Sequence, residues 1–392
     1  MSLPTLADLR DLDGARVLLR LDLNVPVKNG VVQDATRIEA SLPTLRWLLD
    51  RVAVVGACSH LGDAKGKPDP AFSLAPVAAA LEQSLGRPVR FVGDCLDPAI
   101  GEAAPGSLLL LENLRFHKGE KANDPEFAKQ LAAPFTHYVN DAFGTAHRAH
   151  ASVAAAPALF APGRKAAGVL MGAEVAALRR MVESPEQPYV AVVGGAKIST
   201  KTAPLEALLE RVEVLLIGGG MANTMLAALG RPVGRSLVEQ EMLETASSVM
   251  ARAGQRGVLL ELPTDVVVAD AISSPTRVAV VAADAVPDDM MIVDIGPATR
   301  ERFAAAIAGA RTVFWNGPMG VFETEPFAAG TMAVARALAS STAFTVVGGG
   351  ESVMAVHRAG VADAIGHVST GGGASLQYLT GETLPAIAAL EA

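Results

Sequence analysis

The chain has 392 residues, 50% of them hydrophobic and 19% charged, with 37 Gly and 24 Pro. That much apolar material excludes a disordered or collagen-like chain, and the length favours two domains over one. The balance of 33 basic against 41 acidic residues, a net charge of -8, excludes a general affinity for nucleic acid or for an anionic membrane surface.

The first thirty residues carry charges every few positions and lack the basic region and unbroken apolar stretch of a signal peptide. No apolar run reaches the roughly 18 residues of a membrane span, so a cytoplasmic protein is expected. Only Cys58 and Cys95 occur. Their spacing suggests neither a metal cage nor a disulfide framework, and both read as small core residues in a reducing compartment.

Short Val/Leu/Ile runs end in Gly or polar turns and alternate with Ala/Leu/Glu-rich segments. Strands are predicted at 17–23, 52–59, 108–112 and 137–141, then at 190–194, 214–218, 258–262, 313–316 and 344–348. Continuous apolar runs separated by helices indicate parallel strands covered on both faces, hence an α/β fold. A helix over 171–182, followed by the turn ESPEQP, reads as a connector and hinge between two halves.

The second half repeats one unit, an apolar strand, a Gly-rich turn and a helix, as VAVVGGAKIST, VLLIGGGMANT, VFWNGPMGVFE and FTVVGGGESVM. Gly at a strand's carboxyl end lets backbone N–H groups approach a ligand, and the following helix N-terminus favours negative charge. One such turn is explained by tight packing alone, whereas four on one sheet edge make a nucleotide-sized crevice. There is no Gly-x-Gly-x-x-Gly fingerprint and no P-loop, because GDAKGKP near residue 62 has the wrong spacing. In the first half Asp22, Asn24, Arg37, His60, Arg115, His147, Arg148 and His150 fall at predicted strand ends, with Arg20 inside a strand. An isolated Arg or His there is ordinarily solvated or ion-paired; several together suggest a pocket for a small polyanion.

These pieces together resemble the phosphoglycerate kinase family. The match is carried by RLDLNVP at 20–26, SHLG at 59–62, LENLRFHKGE at 111–120, NDAFGTAHRAHAS at 140–152, GGAKISTK at 194–201, WNGPMGVFE at 315–323, GGGES at 348–352 and HVSTGGGAS at 367–375. The resemblance implies a monomer of two Rossmann-like domains, each a parallel sheet flanked by helices. They would span 1–170 for 3-phosphoglycerate and 189–373 for the nucleotide, with a hinge at 171–188 and a C-terminal segment, 374–392, returning to the first domain. It implies reversible transfer of the acyl phosphate of 1,3-bisphosphoglycerate to Mg-ADP, giving 3-phosphoglycerate and ATP.

By the same resemblance Asp22, Asn24 and Arg37 match positions holding the glycerate end, and His60, Arg115 and Arg148 those around its non-transferred phosphate. Lys197 and Lys201 match positions serving the nucleotide phosphates, Glu323 the ribose hydroxyls, and Glu351 with Ser352 the metal and phosphate turn. Gly194, Gly195, Gly218, Gly219, Asn316, Gly348, Gly349 and Gly350 complete the nucleotide cradle, with Glu351 as the Mg²⁺ ligand. An acceptor that is already a carboxylate needs neither a general base nor a covalent nucleophile. What it needs is in-line positioning and charge cancellation, for which Arg37, Lys197, Lys201 and the Gly371, Gly372 and Gly373 amides are the candidates.

Two departures stand out. Glu351 replaces the usual Asp of the metal turn, and Asp63-Ala64 replaces Arg-Pro after Gly62. They keep open a non-catalytic nucleotide-responsive protein as the alternative. A kinase of another acyl phosphate would not need so many cationic groups in the first half.

Overall fold

Strands without polar alternation are stable only when both faces are covered, and every residue of β4 (Val54–Cys58) and of β9 (Tyr189–Val193) is buried. The computed structural model describes residues 3–392 and divides the chain into two units. Unit 1 comprises the residues up to Ala176 with Thr383–Ala392, and unit 2 is Ala177–Glu382.

Unit 1 is built on a six-stranded parallel sheet of β1 (Arg16–Arg20), β4, β5 (Arg90–Val92), β6 (Ser107–Leu111), β7 (His137–Asn140) and β8 (Lys165–Ala167), in the order β5-β6-β4-β1-β7-β8. A short hairpin of β2 (Val27–Lys28) and β3 (Val31–Val32) follows β1. Helices α1 (Thr36–Leu49), α2 (Ala75–Leu85), α3 (Lys118–Lys121) and α4 (Pro125–Ala132) fill the crossovers. The order of winding reverses between β1 and β7, and the carboxyl ends beside such a switch point are where α/β sheets bind ligands.

Unit 2 repeats the plan with β9, β10 (Val214–Ile217), β11 (Leu259–Glu261), β15 (Thr312–Asn316), β16 (Phe344–Gly348) and β17 (His367–Val368), ordered β11-β10-β9-β15-β16-β17 and parallel throughout. Its switch point lies between β9 and β15. A separate antiparallel sheet, β12 (Asp265–Ala269), β13 (Val278–Ala282) and β14 (Met291–Ile295), was not expected. Its core is Val266, Val268, Ala283 and Val286 with Leu226. The flanking helices are α6 (Thr202–Leu208), α7 (Gly219–Ala228), α8 (Leu243–Gln255), α9 (Pro297–Ala308), α10 (Ala329–Ser340), α11 (Gly350–Arg358) and α12 (Gly373–Leu379).

The chain passes from unit 1 to unit 2 within α5 (Val169–Glu183) and returns after Glu382, so that α13 (Pro385–Glu391) packs in unit 1. There Lys165 Nζ donates to the Ala389 carbonyl at 2.9 Å. The segment 374–382, expected to return as well, stays in unit 2 because α12 packs on α6. The first predicted strand, 17–23, also shortens. Beyond Arg20 the backbone leaves the ladder: Leu21 N donates to the Cys58 carbonyl and Leu23 N to Ser59 Oγ, at 3.0 and 2.8 Å. Leu21 and Leu23 stay buried as the first loop of the ligand edge. Among the described residues no helix is long and apolar enough to cross a membrane.

Candidate active site

The carboxyl edge of the unit 1 sheet gathers the charged residues singled out in its sequence. Asp34 Oδ1 accepts Thr36 N at 2.9 Å and so fixes the start of α1. Arg37, in that first turn, pairs with Asp22 across 2.8 Å. Asn24 Oδ1 accepts the Gly62 amide at 2.9 Å, and Arg115 Nη1 donates to the Gly62 carbonyl at 2.7 Å. One turn is thereby held by both residues. Asn113 locks the other side, accepting Arg115 N while its amide donates to the Leu61 and Phe72 carbonyls.

Arg115 is buried, yet its Nε and Nη2 have no partner. Burial, then Arg148 and Arg20, push its pKa down. A buried guanidinium with free donors beside other cations is what an anion site needs, since unpaired buried donors are costly otherwise. His60 Nδ1 lies 3.2 Å from Arg20 Nη2. Burial first, then Arg20, Arg115, Arg148 and Arg37, hold this imidazole well below its ordinary pKa. Guanidinium can only donate, so neutral His60 accepts at Nδ1 and carries its proton on Nε2 as a donor. Arg148 is exposed, its Nε meeting His147 Nε2 at 3.2 Å. Asp63, where the family more often has Arg, is exposed and bonded to Lys121 at 2.8 Å.

A buried support beneath these cations escaped the sequence reading. Arg20 is 1% exposed; it donates to Ser152 Oγ at 2.9 Å and to the Leu21 carbonyl. Ser152 in turn donates through its hydroxyl (2.6 Å) and its amide (2.9 Å) to Glu120, which is fully buried, with His150 Nδ1 3.9 Å away. In KGEK a glutamate looks solvated, and only the packing of α3 puts it inside.

In unit 2 the Gly turns fold onto one another. A Cβ at Gly219, whose φ is +67°, would stand 2.7 Å from the Gly195 backbone, and one at Gly349 (φ +92°) 2.8 Å from Asn316 Nδ2. Gly194 and Gly218 lie as close to the Pro318–Met319 stretch. Lys201 ties the turns together, Nζ donating to the Gly194 carbonyl (2.7 Å), the Asn316 carbonyl (3.2 Å) and Asn316 Oδ1 (2.6 Å). Burial lowers its pKa to about 8, against the opposing charge of Glu351. Asn316 Nδ2 donates to the Gly348 carbonyl, and Ser352 Oγ accepts Gly317 N.

Helices α7 and α11 begin at Gly219 and Gly350, and α12 follows Gly371 and Gly372, the latter at φ +51° with open space where a Cβ would be. Beside them lies a cleft of about 220 Å³ lined by Gly195, Gly219, Leu237, Met291, Glu323 and Glu351 among others. Lys197 is exposed outside that lining, on the turn whose Ser199 hydroxyl donates to Glu239. Of the residues expected to serve the nucleotide, only Gly195, Gly219, Glu323 and Glu351 line it. In the wall of the cleft, buried Asp294 accepts Gly330 N and Ile295 N, and desolvation raises its pKa to about 7.

The family model described as phosphoglycerate kinase matches residues 6–382. The phosphoglycerate kinase of Moorella thermoacetica is 52% identical over 390 residues, covering 98% of each chain, and that of Thermus thermophilus 53% identical over 395 residues, covering 99% of each. Among solved structures, phosphoglycerate kinase from Coxiella burnetii superposes with a TM-score of 0.91 at 43% identity, over 100% of this chain and 99% of its own. The enzyme from Pyrococcus horikoshii gives 0.85 at 32%, over 99% and 98%. With nearly the full length matched by the family model and by relatives at about half identity, the chain belongs to the phosphoglycerate kinase family.

Proposed function

We propose that this chain carries out its family's glycolytic reaction, phosphoryl transfer between 1,3-bisphosphoglycerate and ADP, with the residues gathered at the two sheet edges. The observation that carries the assignment is Arg115, whose buried, unpartnered Nε and Nη2 sit among Arg20, Arg148 and neutral His60. That set fits the non-transferred phosphate of a glycerate. Asp22, Asn24 and Arg37 orient the glycerate end, with Arg37 also able to face the migrating group.

On unit 2 the crossed Gly turns offer backbone N–H groups and helix N-termini to the nucleotide phosphates. Lys201, already held rigidly, stabilises their charge without reorganising, while exposed Lys197 supplies a mobile cation. Gly371, Gly372 and Gly373 add amides at the start of α12, and Glu323 at the cleft rim suits ribose hydroxyls. Glu351 fits Mg²⁺, which takes hard oxygen ligands and is held by one or two carboxylates plus substrate phosphates. When bound there, the ion would offset charge on those phosphates. The extra methylene relative to Asp leaves this donor type unchanged. Because the two ligand sets belong to different units, α5 serves as the hinge in this reading. Two buried free cysteines and net charge -8 favour a cytoplasmic monomer.

A coupled assay with 3-phosphoglycerate and ATP tests this. The parent should turn over, and Arg115→Ala should raise the KM for 3-phosphoglycerate at least about tenfold with the KM for ATP unchanged, since a hydrogen bond to a charged group contributes about 1.5–3 kcal/mol. An inactive parent, or an Arg115→Ala variant with unaltered constants, would remove the assignment.

A further inference from the structure

Unit 1 carries a second cluster of ligating atoms, made of residues outside the substrate set. Asp94 Oδ1 and His117 Nε2 are 2.9 Å apart, and Cys95 Sγ completes a set in which every atom lies within 4.8 Å of the others. Sequence spacing concealed it, because Asp94 and Cys95 follow β5 whereas His117 precedes α3. The cysteine lines a cleft of about 560 Å³ together with Asp69, Ser73 and Glu112. The His117 ring is backed by Phe127 of α4, 5.3 Å between centroids.

An ion pair accounts for Asp94 and His117 but not for a cysteine placed against both. Nor is this a nucleophile with its base. Burial, followed by the charge of Asp94, pushes the Cys95 thiol well above its ordinary pKa, and reactive cysteines need the reverse. A cation changes that balance by binding the thiolate and cancelling the nearby carboxylate.

We propose that Asp94, Cys95 and His117 form a binding site for a borderline-soft divalent cation of the Zn²⁺ class, with a fourth position open to the cleft. Sulfur, nitrogen and carboxylate oxygen are the Zn²⁺ donor set, at about 2.0–2.3 Å from the metal. Tetrahedral ligands sit roughly 3.5 Å apart, so separations near the 4.8 Å limit must shorten by about 1 Å while the 2.9 Å Asp94–His117 pair opens slightly. Asp94, on an exposed turn, can supply that movement. The thiol gives its proton to solvent as the bond to the metal forms, so affinity rises with pH. Mg²⁺ prefers hard oxygens and would not compete. Since His117 lies two residues after Arg115, a bound ion would tie the turn carrying Arg115 to the end of β5.

The probe is Co²⁺ added to the full-length reduced protein, with Zn²⁺ as competitor. One Co²⁺ per chain should give visible bands of tetrahedral intensity and a sulfur-to-cobalt charge-transfer band in the near ultraviolet, both abolished by equimolar Zn²⁺. Cys95→Ser should remove the charge-transfer band, and His117→Gln should weaken binding at least tenfold while keeping it. Cys95→Ala serves if the serine variant does not fold; neither change touches the residues assigned to turnover, so Mg²⁺-dependent activity reports folding. The site is refuted if the parent shows no charge-transfer band, if Cys95 variants retain it (Cys58 then being the ligand), or if His117→Gln binds Co²⁺ as well as the parent.

Discussion

Glu120→Gln is the sharpest test of how the substrate edge is held. In the parent, both Ser152 donors end on the Glu120 carboxylate, and Ser152 Oγ accepts from Arg20. A glutamine keeps the shape but offers one oxygen. The Ser152 amide can keep its bond, while its hydroxyl must turn to face an NH₂ group and loses an acceptor. One charge-assisted bond contributes about 1.5–3 kcal/mol. Ser152 Oγ, which also accepts from the buried Arg20 guanidinium, is less well held, so the total sits at the upper end of that range. A destabilisation of about 3 kcal/mol is therefore expected in unit 1. Urea unfolding followed by Trp47, in a Trp315→Phe background that silences the other tryptophan, reads unit 1 alone. Kinetics then separate two roles. If Glu120 positions Arg20 and Ser152, the KM for 3-phosphoglycerate should rise about tenfold and that for ATP stay put. If it only balances charge, removing a negative group under an anion site should lower the KM for 3-phosphoglycerate. A shift below about 1 kcal/mol, or a lowered KM, refutes the positioning argument.

Four further outcomes are expected. With the Lys201 pKa lowered to about 8 by burial, kcat/KM for the nucleotide should fall as pH rises through about 8, because the free enzyme loses the ammonium there; a profile flat to about pH 9.5 would contradict it. Lys197→Ala should lower kcat about 10²–10³-fold, the range of a lost transition-state donor, with little change in nucleotide affinity measured by calorimetry. Asp294 is raised to about 7, so between the ordinary carboxylate range and pH 7 the folded state binds more protons than the unfolded one, and its contribution to stability falls as pH rises. Asp294→Asn should flatten that part of the stability profile, and an unchanged slope would show the charge is not the cause. Small-angle scattering should show 3-phosphoglycerate and Mg-ATP together reducing the radius of gyration more than either alone; an unchanged value would remove α5 as a hinge.

The parallel sheets were legible because burial on both faces leaves no polar alternation. β4, β9 and β15 are buried from end to end, and each reads as a short run rich in apolar, β-branched or aromatic residues bounded by turn signals. The antiparallel sheet was not legible for the converse reason. Val278 and Val280 of β13 are 49% and 54% exposed, so the apolar run VAVVA neither alternates nor marks a covered strand. β8 and β17 have three and two residues, too few for any period to register.

The same contrast holds at the ligand edges. Gly219 and Gly349 could be read from sequence because left-handed backbone and close approach require glycine, and that requirement is local. Lys201 was found by its neighbourhood in GGAKISTK, but the three oxygens that hold it come from two loops more than a hundred residues apart. Glu120 carries no local mark at all. A glutamate between lysines is favourable in water, and its partners Ser152 and His150 lie 32 and 30 positions away in the chain. Donors that touch a ligand are constrained by chemistry that a short string can record. The groups that orient those donors are constrained only by what the fold brings beneath them, so a buried charge such as Glu120 or Asp294 becomes visible only once its desolvation and its partners are known.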